Sequence, residues 1–83
     1  MLLCKVRSKC TATIKDARLT GLSLVVVEQV ATQEIWVAAD PLGVPPGALV
    51  LVVTGAAARL AVSKPDAPLD HCIVAILDNE EFN

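Results

Sequence analysis

The chain has no tyrosine, a single tryptophan (Trp36) and a single phenylalanine (Phe82). Grooves that hold single-stranded nucleic acid need aromatic platforms on which bases stack, so this scarcity argues against that mode of binding. Positive charge is not in excess either. Seven Lys and Arg face nine Asp and Glu, for a net charge of −2, and the isoelectric point lies near 5.1. No summed positive field draws phosphate backbones or anionic lipid, and neither nucleic acid nor membrane is expected as a partner.

Long apolar runs are also missing. The 18 residues from Pro41 to Ala58 carry no charge, but prolines and glycines interrupt them until only Ala48 to Val53 is continuous. Six residues suit a buried strand, not a membrane span. The opening Met1-Leu2-Leu3-Cys4 reaches Lys5, Arg7 and Lys9 at once, which leaves no apolar core for a secretory signal. A cytoplasmic protein is expected, and its three cysteines, none in a CxxC pair, do not read as a disulfide framework. On one extended strand Cys4 and Cys10 would lie roughly 20 Å apart and could not bridge. Cys4, Cys10 and Cys72 are expected as small core residues.

Catalytic and cofactor signals are equally sparse. The four positions Cys4, Cys10, His71 and Cys72 match a zinc site in number but lack the close pairing that clips a metal. Neither GxGxxG nor GxxxxGK[ST] occurs, so no phosphate loop is signalled. His71 lies between Asp70 and Cys72, yet neighbours on an extended segment point to opposite faces. It is expected as a surface or interface residue. No catalytic residue, metal or cofactor is assigned.

What the sequence does have is aliphatic mass: 54% of its 83 residues are hydrophobic, and the mean hydropathy is +0.60. A chain of this length is one small domain, here residues 1–83, and buries only roughly 60–65% of its unfolded surface. It carries more apolar side chain than so small a core encloses. The remainder is expected between subunits.

From Cys4 to Ile14 the even positions read Cys, Val, Ser, Cys, Ala, Ile and the odd ones Lys, Arg, Lys, Thr, Thr, the alternation of a half-buried strand. Its Lys5, Arg7 and Lys9 read as a solvated or intersubunit face paired with carboxylates. Lys15-Asp16-Ala17-Arg18 is a polar connection, Leu22 to Val30 a second strand and Glu34 to Ala39 a third, hairpinned through Ala31-Thr32-Gln33. The segment from Pro41 to Gly47 holds three prolines and two glycines and must be a loop. Ala48 to Thr54 is the fourth strand, and Ala56 to Ala61 favours one or two helical turns. Ser63 to Pro68 is a loop, Cys72 to Leu77 the fifth strand, and Asp78 to Asn83 a polar tail. The pattern predicts a mostly β fold, a small five-stranded OB-like barrel with one short helix between strands 4 and 5. Asp40 either braces the loop after it or pairs across a subunit boundary, and Arg59 either complements the helix end or does the same.

These segments, in order, resemble the landmarks of the pentameric vertex proteins of bacterial microcompartment shells, the EutN/CcmL family. Thr13-Ile14-Lys15 is similar to the family's Thr-x-Lys, and Leu19-Thr20-Gly21-Leu22-Ser23-Leu24 to its Leu-x-Gly-x-x-Leu. Ala38-Ala39-Asp40-Pro41-Leu42-Gly43 resembles Ala-x-Asp-x-x-Gly, and Gly55-Ala56-Ala57-Ala58-Arg59 resembles Gly-Ser-x-Ala-Arg. Pro68-Leu69-Asp70 and Ile76-Leu77-Asp78 resemble the closing Pro-x-Asp and Ile-x-Asp. Departures are Ser8 where Gly is usual, Ala56 where Ser is common, and a shorter second hairpin.

The resemblance implies a non-enzymatic subunit that forms a homopentamer at the corners of a polyhedral shell, inside the bacterial cytoplasm and beside hexameric tiles. It also implies that Thr54, Gly55 and Ala56 run near the five-fold axis. Candidates for the subunit boundary are Asp40, Gly43, Ala57 and Arg59. The alternative is an OB-fold binding module for single-stranded nucleic acid or oligosaccharide.

Overall fold

A computed structural model describes residues 1–12 and 15–77. Five strands, β1 (Leu2–Cys10), β2 (Leu24–Gln29), β3 (Ile35–Ala39), β4 (Leu49–Thr54) and β5 (His71–Ile76), form a closed barrel in the order β1-β2-β3-β5-β4. A six-residue helix, α1 (Ala56–Ala61), connects β4 to β5. This is the five-stranded OB-like barrel expected, with its helix where the run of alanines placed it.

All pairings are antiparallel except that of β3 with β5, which touch in parallel at Ala39 and Cys72. That contact is the seam. Inward-facing Cys4, Val6, Val25, Val27, Ala38, Val50, Val52 and Ile73 fill the interior, with Val44 from the loop after β3. Small branched side chains fill so narrow a barrel without strain. A second, smaller cluster lies on the outer side of the seam, where Ala58 of α1 packs on Ala39 and Cys72. The helix exists because it covers that patch, since six residues do not hold a helix in water by propensity alone.

The structure corrects three local readings. β1 begins at Leu2, earlier than its alternation suggested, and ends at Cys10, while Thr13 and Ile14 lie outside the described residues. A bulge between Val6 and Ser8 shifts the register, so the in-out phase that buries Cys4 and Val6 reverses beyond it. Ser8 becomes exposed, Lys9 stands opposite core Val25, and Cys10 is half-buried instead of a core residue. Residues 17–19 of the polar connection form a 3-10 turn, where Arg18 holds the Asp16 carboxyl down to about 2, mainly through a side-chain hydrogen bond. The tail from Asp78 to Asn83 lies outside the described residues.

The connection between β1 and β2 and the loop that follows α1 are tied reciprocally. Arg18 Nη1 donates to the Asp66 carbonyl at 3.2 Å and Lys64 Nζ to the Thr20 carbonyl at 2.9 Å. The helix ends in a Schellman arrangement, with Lys64 N–H on the Arg59 carbonyl at 3.0 Å and Ser63 N–H on the Leu60 carbonyl at 3.0 Å. Ser63 adopts φ +57° there, a position that glycine occupies without the Cβ penalty. Ser63→Gly is therefore expected to stabilise the fold by about 1 kcal/mol, whereas Ile73→Ala in the core costs about 2–5 kcal/mol. Chemical denaturation midpoints of both variants check this pair.

Candidate assembly surface

Most residues singled out in the sequence fall into one continuous segment at the end of β4. Thr54 closes the strand opposite His71, and Gly55 turns the chain into α1 with φ +63° and ψ −137°. Its N–H donates to the Asp70 carbonyl at 2.9 Å, and its own carbonyl accepts the Ala58 N–H at 3.1 Å. A Cβ built on Gly55 meets nothing within 4 Å, so within one chain the glycine answers to backbone conformation, not to crowding. Thr54, Ala56 and Ala57 are exposed. The helix turns Ala58 inward and Leu60 outward, and Leu60 is 68% exposed.

Arg59 works from the far side of that helix. Its Nη1 donates to the Leu69 carbonyl at 3.1 Å and to Asp70 Oδ1 at 3.3 Å. The guanidinium thus fastens α1 to the segment that enters β5, where the sequence suggested a cation complementing the helix end. Asp70, the acceptor, stands out in the sequence as a neighbour of His71 and as the acid of Pro68-Leu69-Asp70, but neither feature points to Arg59. His71 itself lies stacked on Trp36, with ring centroids 4.6 Å apart and 17° between planes. The single tryptophan and single histidine come together on β3 and β5 although 35 positions separate them, a contact that strand order alone makes possible.

Asp40 and Gly43 belong to a different loop, the one that follows β3. Asp40 is only 6% exposed, and its carboxylate accepts the N–H groups of Leu42 at 3.0 Å, Gly43 at 3.0 Å and Val44 at 2.8 Å. Three convergent donors offset the cost of burying a carboxylate and fold residues 41–44 over the barrel end, where Val44 enters the core. Gly43 adopts φ +73° in this turn. The carboxylate also acts on Cys72: burial raises the thiol pKa first, and the Asp40 charge raises it further. Burial likewise raises that of Cys4. Neither is a ready thiolate nucleophile.

Large apolar side chains also stand on the outer surface. Ile35 and Val37 are neighbours on the outer face of β3, and Ile35 is 56% exposed. On the cationic face of β1, Arg7 pairs with Glu28 at 2.9 Å. No group of three or more His, Cys, Asp or Glu is placed to hold a metal among the described residues. No helix among them is long and apolar enough to cross a membrane.

A closed barrel of five short strands with one helix between β4 and β5 places the chain among the small OB-like barrels. The chain belongs to the family described as ethanolamine utilisation protein EutN/carboxysome, whose model matches residues 1–78. It is 39% identical over 79 residues to the carboxysome shell vertex protein CsoS4B of Halothiobacillus neapolitanus, covering 95% of this chain and 96% of the relative. To the microcompartment shell vertex protein EutN of Escherichia coli it is 31% identical over 83 residues, covering 94% and 87%. The solved structure of CsoS4B superposes with a TM-score of 0.85 at 40% identity, covering 94% of this chain and 99% of that one. The pentameric microcompartment shell protein GrpN of Rhodospirillum rubrum superposes at 0.83 with 28% identity and 95% coverage of both chains.

Removing the Asp40 carboxylate leaves the buried Val44 N–H without an acceptor. Asp40→Ala is expected to cost about 2–4 kcal/mol, while Asp66→Ala, at an exposed carboxylate, changes stability by no more than about 0.5 kcal/mol. Equal losses in urea denaturation would contradict the bracing role.

Proposed function

We propose that this protein is a structural shell subunit that forms homopentamers and caps the vertices of a polyhedral bacterial microcompartment, in the cytoplasm and against hexameric shell tiles. The observation that carries the proposal is the whole-chain match, in sequence and in backbone, to shell vertex proteins and pentameric shell proteins. Physical chemistry supports it independently. Ile35 and Val37 on β3 and Leu60 on α1 are exposed to water in one chain, and patches of this kind find cover between subunits. A cyclic ring needs two different surfaces per subunit, so that each copy's first face meets its neighbour's second. The function asks for no catalytic group, and we assign none.

Within the ring, Thr54, Gly55 and Ala56 are the proposed axis-proximal residues, and Ala57, Arg59, Asp40 and Gly43 the proposed boundary residues. Exposure of Thr54 and Ala56 in the isolated chain supports the first assignment, because five-fold symmetry multiplies every side-chain atom near the axis, and exposure of Ala57 supports the second. For Asp40 and Arg59 the boundary role is indirect. Both are engaged within their own chain and would act by fixing the shape of the loop and helix presented to a neighbour.

If the β4–α1 junction lines the ring, Ala→Trp or Ala→Asp at Ala56 or Ala57 blocks or weakens assembly and leaves a folded, soluble subunit. Four intact pentamers of unchanged stability, measured by size exclusion with light scattering, would sink this assignment. The acidic balance and scarce aromatics also predict no appreciable affinity for single-stranded DNA at physiological salt. Tight, salt-sensitive binding in an anisotropy titration would favour the binding-module reading instead.

A further inference from the structure

Strand β3 is bound along one side and open along most of the other. It pairs with β2 from Ile35 to Ala39, but it meets β5 at Ala39 alone. Bonded and non-bonded pairs alternate along an antiparallel ladder. Two flanking bonds set the phase here, Gln29 N–H to the Glu34 carbonyl at 2.9 Å and Asp40 N–H to the Ser23 carbonyl at 2.8 Å. Trp36 and Ala38 therefore turn their N–H and C=O groups toward β2, and Ile35 and Val37 turn theirs to the open side. No loop among the described residues takes up these four groups. Where backbone pairing with β5 is missing, the Trp36–His71 stack links the two strands instead.

A second open edge lies past the same bridge. β5 leaves β3 at Cys72 and runs on to Ile76 beside β4. Leu77 N–H donates to the Leu49 carbonyl at 2.9 Å, so by the same alternation Ala75 faces β4 and Ile76 faces away from it. Val74 is passed over in the register with β4. Ile35, Val37, Val74 and Ile76 are all exposed in the isolated chain. Soluble proteins ordinarily guard an open edge with charge or proline, yet Ile-Trp-Val-Ala at 35–38 and Ile-Val-Ala-Ile at 73–76 contain neither. Two unguarded edges on different strands suit a head-to-tail ring, in which each copy offers two unlike surfaces that fit each other.

We propose that in the ring the β3 edge of one copy, at Ile35 and Val37, takes on the β5 edge of its neighbour, Val74 to Ile76, as an added strand. The sheet then runs across the subunit boundary, held by main-chain hydrogen bonds. The open groups of Ile35 and Val37 gain partners, and exposed apolar side chains on both edges come under cover. The occupant is a second copy because the chain itself carries the complementary edge. This inference rests on the ring reading and deepens it by naming the two surfaces that meet.

Hydrogen exchange of the intact chain, resolved to single amides by fragmentation mass spectrometry, reads the pairing, and native mass spectrometry of the same sample gives the copy number. In the five-copy species the amides of Ile35 and Val37 are expected to exchange at least about ten-fold slower than unbonded amides. Val37→Pro and Ile76→Pro each remove one outward N–H without removing a bond to β2 or β4, and each is expected to lower the five-copy fraction at least about five-fold. Val37→Thr keeps the N–H and stays within about two-fold of the unmodified chain. Should the proline variants fail to fold, exchange in the unmodified chain decides. Unprotected amides at 35 and 37 in an intact pentamer overturn the edge pairing and leave the ring standing. A chain that stays monomeric overturns the ring reading, and the pairing falls with it. Slow exchange of both amides in a monomer also overturns the pairing, because the cover then comes from the same chain. So do folded proline variants that assemble in full.

Discussion

One parallel contact, Ala39 beside Cys72, closes the barrel, and the loop after β3, the aromatic stack and the helix are all set by it. Asp40 follows Ala39 directly and folds the next loop over the barrel end through three backbone donors. His71 precedes Cys72 and stacks on Trp36. Outside the seam, Ala58 of α1 rests on both Ala39 and Cys72, which fixes where the helix presents Ala56, Ala57 and Leu60. Small residues are required at this crossing because helix and sheet approach closely there. A larger side chain at Ala39 or Ala58 would lift the helix and open the seam together.

Much of this was legible in the residues. Alternating Val, Leu and Ile marked the strands, the Pro-rich stretch marked the loop, and the alanine run marked the helix. The bulge at Val6 and Ser8 was not legible, because a period-two pattern continues on paper even where the backbone inserts an extra residue. Cys10 was misplaced for that reason alone. The Trp36–His71 stack and the Arg59–Asp70 pair were hidden for another reason: both join segments whose proximity depends on strand order, which local sequence does not encode. For Asp40 the sequence left local bracing and boundary pairing open, and burial with three N–H donors shows the bracing directly.

The apolar surplus read from composition has a definite location in the fold. It stands on the outside of the barrel, at Ile35 and Val37 of β3, Val74 and Ile76 of β5, Leu60 of α1 and Val30 and Leu42 in the loops, while the interior is already filled by valines, Ile73 and Cys4. The barrel can therefore present these strips without disturbing its core, and rigid presentation is what repeated assembly requires. Each subunit of a ring must offer the same two surfaces at the same angle, or the ring does not close.

Closure into five is the central claim, and native mass spectrometry of the purified chain at micromolar concentration tests it most directly. The account predicts a dominant species containing five copies of the 8.7 kDa chain. A population of monomers or dimers alone would contradict it.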